Sequence, residues 1–374
     1  MPPAAANPIS AANQTSAPTR TLTPAMNDLG RLEDLPADYL SALSTEQLVP
    51  LWPSLRALIP PHIPARQSRP THWRYAGIRP LLMRAGELTP IEKAERRVLV
   101  LANPGLGLER LQASPAIYLG MQLLLPGEIA PSHRHTPNAV RMVVEGEGAY
   151  TTVDGQKCPM ARGDLILTPT GMWHEHGHDG HEPVVWLDVL DLPIVVYLEA
   201  SYHENGPHQE PLPIDAQAGL ARSGLLPTQA FERSGARYPM LRYAYHDTRA
   251  ALHSLAAARP RGEAVLMSFV NPETGQPVQN ILGFHALMLR AGESVRLPAR
   301  SPASVFHCIE GRARVRVDMP RAPGDFLLET ADTCCAPGYC AIELTNPSAS
   351  EDAVLFVADE SPLHRKLGIH EVRA

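Results

Sequence analysis

The chain has 374 residues, with 33 Lys and Arg against 39 Asp and Glu, for a formal net charge of −6, and this length predicts two domains of ordinary size. No long run of one sign suggests a nucleic-acid or anionic-lipid surface, and no apolar stretch approaches the roughly 18 residues of a membrane span. The 38 prolines and 26 glycines exclude long helices and favour an all-β class with added helices.

In chain order, residues 1–30 are rich in Ala, Pro, Ser and Thr, have Arg20 as their one positive charge, and lack the apolar core of a secretory signal. They read as a disordered tail. Residues 31–100 read as a helical N-terminal arm. Apolar residues recur at helical spacing from Leu35 to Leu43, Ser44-Thr45 reads as a helix start, and Thr89 to Arg97 reads as a capped helix with proline in its first turn,.

Over 101–195 the pattern turns to short strands: from Ile117, Arg141-Met-Val-Val-Glu, Gly148 to Val153, Leu165-Ile-Leu-Thr and Val184 to Leu190, with Asp154-Gly155 as a hairpin signal,. Residues 196–264 read as a linker of loops and short helices, and 265–374 as a second β-rich domain with a C-terminal tail. Leu287-Met-Leu-Arg-Ala-Gly-Glu echoes Leu123-Leu-Leu-Pro-Gly-Glu. Cys308-Ile-Glu-Gly echoes Val143-Val-Glu-Gly, and Pro323-Gly-Asp-Phe-Leu-Leu echoes Arg162-Gly-Asp-Leu-Ile-Leu. Three echoes in one order indicate an internal duplication. Cys158, Cys308, Cys334, Cys335 and Cys340 are odd in number and irregularly spaced, which fits a reducing, cytoplasmic setting.

Six of the 16 histidines fall from His133 to His181. His133-Arg134-His135 puts two imidazoles on one face of a strand, where a barrel interior can shelter a metal. His174 is the candidate third ligand, and His176, two residues on, can face the same cavity. An isolated His-x-His is weak evidence, and histidines between His174 and His181 can simply be solvated. The surrounding frame adds weight.

Gly127, His133, His135 and Gly146 match the first cupin signature, and Gly163, Pro169, Gly171 and His174 match the second. The chain resembles the cupin superfamily there, with Ala139 and Val140 where that motif usually carries a glutamate. A three-imidazole site leaves a divalent metal its full charge and open positions for two anionic oxygens and dioxygen. Ala94 to Gly105, His133 to Gly148, Trp186-Leu-Asp and the tail from Leu355 further resemble the gentisate 1,2-dioxygenase family, which includes salicylate and 1-hydroxy-2-naphthoate 1,2-dioxygenases.

The resemblance implies a bicupin of two jelly-roll barrels, a homotetramer with one Fe(II) per subunit on His133, His135 and His174, and a small aromatic hydroxy acid and O2 as partners. It assigns Arg141 and Arg97 to the substrate, with His176 as hydrogen-bond and proton partner. Gln122 and Asp188 fall in the polar network, and Tyr118 and Gly120 on the strand shaping the ring-binding side. In the second copy, Pro298-Ala299-Arg300 stands at the His-x-His position and Cys335 at that of His174, so no metal is expected there. Gentisate cleavage to maleylpyruvate leads. Salicylate, substituted salicylate or 1-hydroxy-2-naphthoate is the alternative substrate. A zinc or manganese cupin isomerase or epimerase and a non-enzymatic bicupin binding protein are the other classes.

Overall fold

A computed structural model describes residues 29–211, 225, 228 and 238–373. All but the end of the expected tail lies outside that set, as does the middle of the expected linker. The chain divides into a unit ending at Ala65 and a larger one from Arg66 onward. The first holds a 3-10 turn at Leu32–Asp34 and helices Ala37–Thr45 and Leu55–Leu58. Ser44 and Thr45, expected to open a helix, instead close one.

In the larger unit, short apolar runs between turn residues become strands. One sheet sets side by side Arg242–Tyr243, Leu165–Thr168, Ala139–Glu145, Val184–Leu190, Tyr118–Leu124 and Arg97–Val100. Another sets His203–Asn205, Ile129–His135, His174–His178, Ala149–Val153 and Gln156–Pro159. These two sheets form the first jelly roll. Its hairpin at Asp154-Gly155 has both residues at positive φ, 44° and 81°, as the sequence predicts for a tight two-residue turn. The second jelly roll joins Thr71–Trp73, Thr333–Ala336, Ser304–Glu310, Ala353–Asp359, Gly283–Leu289 and Val265–Ser268 to a sheet of Ser294–Leu297, Ala341–Thr345, Ala313–Asp318 and Gly324–Leu328. Among the described residues no helix is long and apolar enough to cross a membrane, and all five cysteines are buried.

Neither barrel is one continuous stretch. Thr71–Trp73 edges the second barrel, helix Tyr75–Leu88 follows, and Arg97–Val100 edges the first. Within the span read as a linker, Arg242–Tyr243 edges the first barrel and helix Tyr245–Ala258 follows; just beyond that span, Val265–Ser268 edges the second. These strand–helix–strand segments are copies that cross over. The Tyr75 amide donates to Asp332 (2.7 Å) as the Tyr245 amide donates to Asp164 (2.8 Å), and Arg79 pairs with Glu145 as Arg249 pairs with Glu310. The duplication therefore reaches beyond the barrels.

Asp332 also accepts from the Glu329 amide (3.1 Å) and pairs with His72 (3.0 Å). Burial pushes its carboxyl up, but His72 and the two amides outweigh that and hold it below the usual range. A depressed carboxyl stabilises the fold fully above its unfolded value of about 3.9 and loses that contribution as pH falls through the folded value. Asp332→Asn is expected to cost about 1–3 kcal/mol at neutral pH. The gap to wild type should narrow as acid is added, as read by urea unfolding across a pH series. Equal midpoints at neutral pH would refute this anchor.

The strand register corrects the alignment of the two copies. His174 lies between His133 and Val153, whereas Ile342 lies between Leu297 and Val317. Leu297, Ala299 and Ile342 thus stand where the first barrel has His133, His135 and His174: the His-x-His position is Leu297-Pro298-Ala299, one residue before the expected Pro298-Ala299-Arg300, and Cys335 is not the counterpart of His174. A bulge before His133 has no counterpart in Ser294–Leu297. The partner of Gly163-Asp164 is Ala331-Asp332, with Ala331 at φ 73°, and the look-alike Gly324-Asp325 lies on another strand. Cys335 points its thiol at the Ala113 carbonyl (3.3 Å). Leu297 and Ile342 pack on the second barrel's apolar core and offer no lone pair to a metal.

Candidate active site

Within Ile129–His135, alternation turns His133 and His135 to the same side, and antiparallel pairing sets His174 across from His133,. All three are buried, and one ligand atom from each lies within 4.8 Å of the others. Each Nδ1 donates to a carbonyl oxygen: His133 to Pro131 (2.8 Å), His135 to Pro137 (2.7 Å) and His174 to Met172 (3.0 Å). That fixes one tautomer and leaves the Nε2 lone pair free, the arrangement that metal-binding histidines share. Burial, followed by the Arg96 charge, pulls His133 down to about 2. Burial brings His135 to about 4 and holds His174 well below its ordinary value. The imidazoles are neutral donors at neutral pH.

A second group of polar atoms converges on these rings. His176 is fully buried, holds the Thr151 hydroxyl through Nδ1 (2.9 Å), and leaves Nε2 without a hydrogen-bond partner. Arg141 lies opposite Asp188 on the neighbouring strand, with Nε 3.2 Å from Oδ1, and donates through Nη1 to the Thr168 hydroxyl (2.7 Å). Burial pushes Asp188 up and Arg141 down, and their attraction opposes both shifts. Gln122 Nε2 and His174 Nε2 are likewise buried and unpartnered among the described residues. Buried polar groups are seldom left open, so several in one cavity mark a ligand site. Gly120 faces Asp188 across the strands, and a Cβ there would come within 2.8 Å of the Tyr118 hydroxyl. The two residues therefore shape one wall together.

Arg97 is the candidate that the structure takes away from the cavity. The helix expected through it stops after Ile91–Ala94, Glu95 takes φ 52°, and Arg97 opens a strand. Arg97 pairs with Glu128 and reaches toward the Gly86 carbonyl. Arg96, one residue earlier, faces the histidines and Asp188 and acts electrostatically on His133, His176 and Asp188. His203 was also missed. It pairs with His135 across the sheet, its ring centroid is 5.5 Å from that of His133, and it is exposed. Glu95, Arg96, His135, Pro137, Leu190, Leu192 and His203 help to line a cleft of about 310 Å³ that reaches His135. A larger hollow of about 640 Å³ on the second barrel is lined by Arg316, Asp325 and Glu343. Those charges pair with one another, and none of its lining residues has an unpartnered buried polar atom.

Residues 120–190 match the cupin domain family. Over 347 residues, covering 93% of this chain and 97% of the relative, the sequence is 66% identical to a gentisate 1,2-dioxygenase of a Ralstonia species. The chain belongs to the gentisate 1,2-dioxygenase family. A 5-aminosalicylate 1,2-dioxygenase of a Comamonas species is 34% identical over 82% of either chain. The crystal structure of a salicylate 1,2-dioxygenase from Pseudoaminobacter salicylatoxidans with gentisate superposes at a TM-score of 0.82, with 30% identity over 91% of this chain and 94% of that one. This member of the family is a ring-cleaving dioxygenase with the bicupin fold.

Proposed function

We propose that this dioxygenase opens the gentisate ring between the carboxyl- and hydroxyl-bearing carbons. Both atoms of O2 enter the product, maleylpyruvate, and one Fe(II) per subunit sits at His133, His135 and His174. The observation that carries this reading is three neutral imidazoles whose ligand atoms lie within 4.8 Å of one another, each with its Nδ1 committed to a carbonyl, with Ala139 and Val140 where a carboxylate ligand would stand. Such a donor set fits a divalent iron, and the chemistry supplied there is Lewis-acid binding of two anionic oxygens and of dioxygen.

The chain's own groups do the rest. Arg141 presents its fork to the substrate carboxylate, with Asp188 and Thr168 holding its orientation. Arg96 adds a second positive charge at the entrance. His176 Nε2, with its ring held in place through Nδ1 by Thr151, accepts or returns a proton at the substrate oxygen. The barrel walls exclude water. The family resemblance adds a cytoplasmic homotetramer as the working particle. Relatives that act on 5-aminosalicylate and 1-hydroxy-2-naphthoate make a 2-hydroxybenzoate lacking the second hydroxyl the alternative substrate.

The test is oxygen uptake by protein reconstituted anaerobically with Fe(II) and offered gentisate, salicylate and 1-hydroxy-2-naphthoate. Gentisate is expected to give the highest kcat/KM, and no uptake with any of the three would sink the reading. Arg96→Gln is expected to raise the KM for gentisate about ten- to a hundredfold, the range of a charge-assisted hydrogen bond. Arg97→Gln should instead lower the unfolding temperature and leave KM within about threefold. The reverse pattern would restore Arg97 to the pocket.

A further inference from the structure

We infer that His203 determines substrate choice by hydrogen-bonding the ring hydroxyl para to the metal-bound one, so that it selects a 2,5-dihydroxybenzoate over a 2-hydroxybenzoate. This rests on the function proposed above. The short strand His203–Asn205 adds to the edge of the sheet beside the strand carrying the ligands, with His203 opposite His135 and Asn205 opposite His133. Directly opposed residues of an antiparallel pair project to the same face, so His203 shares the inner face of the two ligand histidines. Glu204 takes the outer face, where it pairs with Arg134.

His203 thereby stands at the open end of the cleft, against the His133 ring but one strand farther out. A substrate that chelates through its carboxylate and ortho-hydroxyl turns the opposite end of its ring toward that opening. The walls offered there by Pro137, Leu190 and Leu192 are apolar. Arg96, also at the entrance, is a cation suited to the carboxylate side. Beyond the backbone pairing of its strand, the His203 side chain makes no hydrogen bond among the described residues, so an imidazole able to donate or accept is uncommitted where a second hydroxyl arrives.

The experiment measures anaerobic binding of gentisate and of salicylate to iron-loaded wild type, His203→Leu and His203→Gln by calorimetry, with iron content and kcat/KM determined in parallel. His203→Leu is expected to weaken gentisate about tenfold, the value of one hydrogen bond, and salicylate by less than about twofold. His203→Gln should recover most of the loss, and iron should stay at the wild-type level. Equal weakening of both ligands, or of neither, overturns the assignment. Loss of iron from His203→Leu also overturns it, by making His203 part of the metal site. In those cases wild type still binds and cleaves gentisate, and the proposed function stands; a wild type that binds neither acid removes both.

Discussion

His174→Ala is expected to yield a folded protein that carries less than about a tenth of the wild-type iron and turns over at under about one per cent of the wild-type rate. Metal sites of this kind depend on ligand count, and losing one of three donors leaves two imidazoles on a single strand, too few to hold the ion in a closed interior. The fold should tolerate the change. His174 is fully buried with its Nε2 unpartnered, so the substitution removes an unsatisfied polar atom while opening a small cavity, and these effects oppose each other. Circular dichroism would confirm folding, and iron assay with oxygen uptake would give the two losses. Full iron occupancy in this variant would move the centre elsewhere. Thr151→Val is a useful contrast: it frees the His176 ring without touching a metal ligand, so iron should stay while turnover falls.

The site was legible where local periodicity decides orientation. His133 and His135 declare themselves because two residues is the strand repeat, and His174 and His176 because the glycine and proline frame fixes where that strand begins. Orientation was lost where one residue of slip reverses a face. Arg97 and Arg96 differ by one position. The outcome turned on the backbone of Glu95, a non-glycine residue at φ 52°, which breaks the helix that the repeat from Thr89 suggests. The same kind of slip misaligned the second barrel, where a bulge before His133 and a decoy Gly324-Asp325 hid that Ile342, not Cys335, replaces His174. His203 carried no signal, since it lies in a stretch of weak pattern and reaches the site only through edge pairing. The crossover of Arg242–Tyr243 and Thr71–Trp73 between barrels was invisible for a like reason. Strands of two or three residues make too short a pattern, yet Tyr75, Arg79 and Asp332 repeat as Tyr245, Arg249 and Asp164 once the sheets are seen.

Arg141→Ala is expected to lower kcat/KM for gentisate about a hundred- to a thousandfold while iron content stays within error. The guanidinium is buried against Asp188 and Thr168, and breaking a buried ion pair on one side costs about 3–5 kcal/mol because the other charge is left behind. Asp188, already pushed up by burial, would then take a proton, so part of the cost appears as altered pH dependence and part as lower stability. The substrate carboxylate meanwhile loses its forked partner. Arg141→Lys should recover little, because an ammonium cannot serve Thr168, Asp188 and a carboxylate from one planar group. Asp188→Asn in the Arg141→Ala background separates the two contributions. It should restore stability by removing the stranded carboxyl, yet leave gentisate binding weak because nothing replaces the fork. If the double variant also regained affinity, Arg141 would act only by neutralising Asp188. If Arg141→Ala lost iron while binding gentisate normally, the arginine would belong to the metal site's support and not to the substrate.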